Sequence, residues 1–147
     1  ALVDLRAAAT AEGLDHLLTA RADITQGIAL GDGVADAVLL FDILHLLHAA
    51  ERRRLYAEAA RVLTTGGVLS VLVWHHGSDA SARFLRDRTP EDVAGEVTRC
   101  GFRRETPYRG VLWHGGRRSD TPAMRFVRTG PASAPRRRDH GVRPDQR

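Results

Sequence analysis

The sequence contains no lysine and only one cysteine, and it has no long apolar run. A single cysteine, Cys100, excludes a disulfide scaffold and a cysteine-rich zinc site, and it is compatible with a reducing, cytoplasmic location. The longest apolar runs are far shorter than a membrane span, so no membrane partner is expected. No charged stretch followed by an apolar run opens the chain, so no signal peptide is expected to begin at residue 1.

The chain also has a single methionine, Met124, so its first residue is not an initiator. We therefore expect a fragment or a processed product of a longer protein. Its 147 residues have the size of one domain, and 43% hydrophobic with 27% charged residues is typical of a globular protein. The 22 basic residues are all arginine, a bias that we attribute first to a GC-rich genome.

The basic charge is concentrated at the end of the chain. Residues 130–147 contain five arginines and two aspartates, a net charge of +3, while the whole chain carries +4. Residues 1–129 therefore carry only +1, and nucleic acid is not the expected partner. We predict an α/β domain over residues 1–129 and a disordered Arg/Pro-rich tail over residues 130–147, because the tail has almost no apolar side chains to bury.

Three helices are predicted from apolar periodicity and end signals. The first covers residues 2–13 and ends at Gly13, and the second covers residues 50–63 before the glycine turn at Gly66 and Gly67. The third begins with Thr89 as its N-cap and Pro90 in its first position, and it ends at Gly101.

Five strands are predicted between and after these helices. They cover residues 16–22, 36–41, 68–74, 108–113 and 123–128. Apolar strands that alternate with amphipathic helices indicate an α/β fold with a mainly parallel sheet. The close final pair predicts an antiparallel hairpin at the C-terminal end.

The candidate site follows from the strand ends. In an open α/β sheet, ligands bind outside the carboxyl ends of the strands. The residues at the predicted strand ends are Asp23, Ile24, Phe41, Asp42, Trp74, His75 and His76.

Four segments together resemble the class I S-adenosylmethionine-dependent methyltransferases. They are AEGLDHLLTARADI (11–24), GDGVADAVLLFDILHLL (31–47), ERRRLYAEAARVLTTGGVLSVLVW (51–74) and TPEDVAGEVTRCGF (89–102). The resemblance implies a Rossmann-like fold and S-adenosylmethionine as cofactor. It also implies methyl transfer by in-line displacement, in which positioning dominates and no catalytic triad is required.

The resemblance also implies roles for the strand-end residues. Asp23 corresponds to the acid that accepts a hydrogen bond from the adenine amino group, and Ile24 to the apolar neighbour that packs on the ring. Phe41 and Asp42 correspond to the end of the family's fourth strand, represented here by residues 36–41, beside the methionine part of the cofactor. His45 follows on the next helical turn.

Two family features are absent, namely the glycine-rich loop and the acid that holds the ribose. Asp4 is the one candidate for that acid, but counting back from Asp23 places it inside the first helix. We therefore expect that the N-terminal strands are truncated. The sequence does not establish whether such a fragment is active in isolation. The acceptor is expected to be a small molecule, and the alternative function is a non-catalytic, partner-binding remnant.

Truncation also predicts exposed sheet edges. The strand at 16–22 has lost its neighbours and the strand at 36–41 has lost one of two, so marginal stability or self-association is expected. Residues 50–128 are expected to be the better-ordered part.

Other interpretations of these residues stay open at the sequence level. Asp23 alternatively caps a turn, and Asp42 alternatively caps a helix that begins at Ile43. His45 and His48 are three residues apart and could face one another. A metal site would need further ligands, and Asp42 is the only one nearby.

The residues at the end of the predicted strand 68–74 also have two interpretations each. His75 and His76 are either general bases on the substrate side or a solvated loop pair. Trp74 is either core or substrate wall. Cys100, on the buried face of the third helix, is interpreted as structural.

Overall fold

The computed structural model describes residues 2–41, 43–72, 88–106, 108–114 and 117–130. Its elements, in chain order, are α1 (Leu2–Ala11), β1 (Ala35–Leu40), a 3₁₀ turn (Leu44–Leu46), α2 (Ala49–Val62), β2 (Leu63–Val71), α3 (Pro90–Thr98), β3 (Phe102–Arg104), β4 (Tyr108–His114) and β5 (Arg117–Arg128). Among the helices in these ranges, none has the length and apolarity needed to span a bilayer.

The strands form one sheet in the order β1-β2-β5-β3, and β4 pairs with β5 outside this path. β1 and β2 are parallel, whereas β5 is antiparallel to β2, β3 and β4. The predicted α/β class and the C-terminal antiparallel hairpin are confirmed. β5 begins earlier than predicted, and the short strand β3 was not predicted.

The caps of α3 agree with the sequence prediction. The hydroxyl of Thr89 accepts a hydrogen bond from the Asp92 N–H at 3.1 Å, and the Asp92 carboxylate accepts one from the Thr89 N–H at 2.8 Å. Pro90 occupies the first turn, and Gly101 follows the helix with φ of +87°. Local sequence therefore fixes both ends of this helix.

The predicted glycine turn is a bulge inside β2 rather than a separate turn. Ala35 of β1 pairs with Leu63, while Ala37 pairs with Val68, so β2 carries extra residues between the two pairs. Gly66 has φ of +83°, and a Cβ on Gly67 would lie 2.9 Å from the Thr64 carbonyl oxygen. A side chain at either position would strain the bulge. Because the bulge belongs to the strand, β2 begins five residues before the predicted start.

The hydrophobic core contains side chains of α2, α3 and the sheet. Its fully buried members include Leu55, Tyr56, Ala59, Leu69, Val71, Val93, Val97 and Phe126. One ion pair crosses it: the guanidinium of Arg52 donates to both oxygens of Glu96, at 2.9 and 2.7 Å. Arg52 is 1% exposed, so this pair joins α2 to α3 inside the protein.

The predicted strand at residues 16–22 is wrong. The N–H of Leu17 closes a turn on the Leu14 carbonyl, and residues 18–22 are irregular, with Leu18 91% exposed. No strand in the described part of the chain pairs with this segment. Because an isolated strand has no ladder of hydrogen bonds, it does not form.

The predicted N-terminal helix is present as α1, and Gly13 follows it with φ of +69°. Only part of the apolar face of α1 is buried, since Ala9 is buried but Leu5 is half exposed.

Candidate functional site

The carboxyl ends of β1 and β2 lie side by side. Leu40 pairs with Val71, and the N–H of Leu72 donates to the Leu40 carbonyl at 3.1 Å. Phe41 leaves the sheet at this edge and is 39% exposed, whereas Leu72 is buried. The predicted position of Phe41, at the carboxyl end of a parallel strand, is therefore the observed one.

Asp23 forms a tight turn with the residues that follow it. Its Oδ1 accepts hydrogen bonds from the Thr25 N–H at 2.9 Å and from the Thr25 hydroxyl at 2.7 Å. The Gln26 N–H donates to the Asp23 carbonyl at 3.0 Å. The turn-capping interpretation of Asp23 is thus the observed geometry, and the two Thr25 bonds fix the orientation of the carboxylate.

The same bonds favour the ionised form of Asp23. The Thr25 hydroxyl, and then the Thr25 N–H, hold the pKa of the carboxyl below its usual value. The side chain is exposed, so its second oxygen remains accessible to a hydrogen-bond donor from outside. Capping the turn therefore leaves Asp23 able to bind a ligand.

Ile24, next to Asp23, is half-buried and packs against the core. Ile28 packs against the same core four residues later. An anchored apolar side chain therefore lies next to an exposed carboxylate.

His45 lies in the 3₁₀ turn after β1 and is 6% exposed. His48 is the N-cap residue of α2, and its N–H donates to Glu51 Oε2 at 2.7 Å. In the described ranges, no group of three or more His, Cys, Asp or Glu side chains is placed to hold a metal ion. Asp42 lies outside those ranges.

The predicted substrate-side residues lie outside the described part of the chain: His75, His76 and Trp74. Their roles stay predictions. The tail from residue 131 onward lies outside it as well.

Two further residues have clear positions. Asp4 is in the first turn of α1, as counting back from Asp23 predicted. Cys100 packs against the core with its Sγ 4.0 Å from the Arg53 carbonyl oxygen, and burial raises the pKa of its thiol. A thiol with a raised pKa is a poor nucleophile, which agrees with the structural interpretation of Cys100.

Sequence reasoning missed Thr25, Glu58 and Arg61. Thr25 orients Asp23, and an Asp with Thr two residues later is a typical signal for such a turn. Glu58 and Arg61 are three apart on α2 and bond to the segment that follows Asp23. Nothing in the local sequence identifies those contacts, because their partners are about thirty residues away.

The sequence model of a methyltransferase domain family matches residues 2–71. No curated protein matches the sequence. Among solved structures, a SAM-dependent methyltransferase from Methanosarcina mazei has 16% identity and a TM-score of 0.60 over 88% of this chain and 77% of that one.

A second similar structure is the Burkholderia thailandensis 1,6-didemethyltoxoflavin-N1-methyltransferase, solved with 1,6-didemethyltoxoflavin and S-adenosylhomocysteine. It has 16% identity and a TM-score of 0.64 over 86% of this chain and 56% of that one. The cyclase SpnF is also similar, with 22% identity and a TM-score of 0.59 over 74% of this chain and 40% of that one. Identities this low show a shared fold, and a fold hosts more than one chemistry.

Proposed function

We propose that this chain takes part in transferring a methyl group from S-adenosylmethionine to a small-molecule acceptor. It has the fold of the class I S-adenosylmethionine-dependent methyltransferases. The observation that carries the proposal is the exposed carboxylate of Asp23, which Thr25 orients beside the anchored side chain of Ile24. The location proposed for this activity is the cytoplasm.

The residues at this site fit the adenosine part of the cofactor. A carboxylate oxygen accepts from an amino group, and Ile24 offers an apolar contact to the ring. In the same proposal, Phe41, Asp42 and His45 border the methionine part. The cofactor supplies an electrophilic methyl group on a sulfonium, so this chain needs only to bind and orient the reactants.

The proposed acceptor is a small molecule, and His75 or His76 is the proposed general base that removes its proton. Two observations support a small acceptor. The domain carries a net charge of only +1 over residues 1–129, which disfavours a polyanion. A protein of similar fold was solved with 1,6-didemethyltoxoflavin and S-adenosylhomocysteine.

Calorimetric titration of S-adenosylhomocysteine tests the proposal. We expect binding by this chain or by the longest polypeptide that its gene encodes, and an about tenfold loss of affinity in Asp23→Asn. Asp15→Asn is the matched control, since Asp15 is an exposed aspartate of the same segment. Absence of binding by both proteins, or equal affinities of the two variants, contradicts the proposal.

A second candidate function, partner binding without catalysis, is favoured by the free edge of β1. In the described part of the chain β1 pairs with β2 alone. Leu39 is 63% exposed on this strand. We propose a second copy of the chain as the occupant of this edge. The only charge in β1 is Asp36, and antiparallel pairing over Ala35–Leu40 would place each Asp36 opposite Leu39 rather than opposite its copy.

Sedimentation velocity across a range of protein concentrations tests this second candidate. We expect a dimer that Leu39→Lys abolishes, because a charge on an edge strand opposes pairing. Leu30→Lys is the matched control, since Leu30 is similarly exposed but lies before β1. A monomer at every concentration, or dimers in both variants, contradicts pairing through β1.

A further inference from the structure

Arg61, in the last turn of α2, binds the backbone of the segment that leads from Asp23 to β1. Its Nη2 donates to the Ile28 carbonyl at 2.8 Å. Its Nη1 donates to the Leu30 carbonyl at 2.8 Å and to Asp32 Oδ1 at 2.7 Å. One guanidinium thus holds three points of a loop that is about thirty residues away in sequence.

Glu58, one turn earlier on α2, completes the contact. Its Oε2 accepts from the Ile28 N–H at 3.0 Å, and its two oxygens accept from Arg61 Nε at 3.0 Å and Nη2 at 2.8 Å. The N–H and the carbonyl of Ile28 are therefore both bonded to this pair. The Arg61 guanidinium holds the pKa of the Glu58 carboxyl below its usual value, so the pair is ionised at neutral pH.

The loop approaches the pair closely at Gly27. Gly27 has φ of +134°, and a Cβ there would lie 3.1 Å from Glu58 Oε2. Both the backbone conformation and the short distance disfavour any side chain at this position. The segment is therefore shaped to bring its backbone onto Glu58.

We propose that Glu58 and Arg61 are positioning residues for the adenine contact of Asp23 and Ile24; the inference rests on the proposed function. In the described part of the chain, the hydrogen bonds from residues 18–32 to other elements all go to these two side chains. The Asp23 turn closes at Gln26, two residues before the bonded Ile28. Because residues 16–22 form no strand, the pair provides the polar attachment that a flanking strand would otherwise supply.

A double-mutant cycle on S-adenosylhomocysteine affinity tests this role. Arg61→Met removes the donors and keeps the apolar stem, and we expect an about tenfold loss of affinity, similar to that of Asp23→Asn. If Arg61 acts through Asp23, the double variant also loses about tenfold, whereas independent effects would multiply to about a hundredfold. Arg54→Met is the control, since Arg54 is an exposed arginine of the same helix. All affinities are measured at a temperature where circular dichroism shows each variant to be folded.

Amide hydrogen exchange without ligand separates this inference from the proposed function. We expect faster exchange at residues 24–28 in Arg61→Met than in Arg54→Met. If the wild type binds S-adenosylhomocysteine but the affinity losses of Arg61→Met and Asp23→Asn multiply in the double variant, the positioning role is overturned. The proposed function then still stands. If the wild type does not bind, the proposed function fails, and unchanged exchange at residues 24–28 would overturn the positioning role as well.

Discussion

Residues 3–46 and residues 47–130 differ in how many of their large apolar side chains they expose to solvent. In the first region ten of them are exposed: Val3, Leu5, Leu14, Leu17, Leu18, Leu30, Val34, Leu39, Phe41 and Leu46. Among the described side chains of the second region, no large apolar one is exposed. The second region is therefore stabilised mainly by burial, while the first buries Leu40 and Leu44 and relies more on polar attachments such as Glu58 and Arg61.

The strongest contrast is expected between two leucines on neighbouring strands. Leu69 of β2 is fully buried, and Leu39 of β1 pairs with the next residue of β2, Ser70. We expect Leu69→Ala to lower the free energy of unfolding by about 4 kcal/mol, through lost burial and a cavity. Leu39→Ala should change it by less than about 0.5 kcal/mol. Urea denaturation measures both, and equal losses would show that β1 is as well packed as β2.

The next largest effect is expected at the buried ion pair. Arg52→Met leaves the Glu96 carboxylate largely buried without its guanidinium, which should lower the free energy of unfolding by about 3 kcal/mol. Arg53→Met is the control, because Arg53 is exposed on the same helix. Similar denaturation midpoints for the two variants would mean that the pair contributes nothing to holding α2 on α3.

Two threonines sharpen the comparison at a smaller scale. Thr89→Ala removes the N-cap of α3 and should cost about 1 kcal/mol of stability. Thr25→Ala should leave the denaturation midpoint unchanged, because Thr25 bonds only within its own turn. Instead it should raise the pKa of Asp23, whose largest perturbation is the Thr25 hydroxyl. NMR titration of the Asp23 carboxyl measures this shift, and an unchanged pKa would contradict the geometry of the turn.

The smallest effect is expected on acidification. The pKa of Glu58 lies below its ordinary 4.5, so its contribution to stability is complete above pH 4.5 and is lost as the pH falls through the lowered value. We expect the Ile28 amide proton, which is bonded to Glu58, to shift in NMR spectra with a midpoint below 4.5. The amide of Leu69, inside the sheet, should not follow this titration. A midpoint at or above 4.5 for Ile28 would contradict the ion pair.

The elements predicted well from the sequence are those with local signals. Thr89, Pro90 and Gly101 specify the limits of α3 almost alone. The apolar run of β1 identified a strand, because five apolar residues out of six beside a turn leave few alternatives.

The strand predicted at residues 16–22 shows where such reasoning stops. A strand requires neighbours, and the local sequence carries no information about whether they are present. The same holds for the candidate site. Asp23 and Ile24 were identified by resemblance, but the residues that hold their loop were not, because the bonds of Arg61 to Ile28 and Leu30 are long-range contacts.

The position of β5 has a consequence for the order of folding. β5 lies between β2 and β3 and also pairs with β4, so three of the four strand pairings involve the last described strand. Leu69 of β2 pairs with Phe126 of β5, and these two residues are far apart in the chain. During synthesis the sheet is therefore incomplete until β5 has left the ribosome, and β2 meanwhile exposes an unpaired apolar edge. Pairing over such a separation in sequence is slow, and in a nascent chain that ends before residue 117 the strand β2 lacks its antiparallel neighbour.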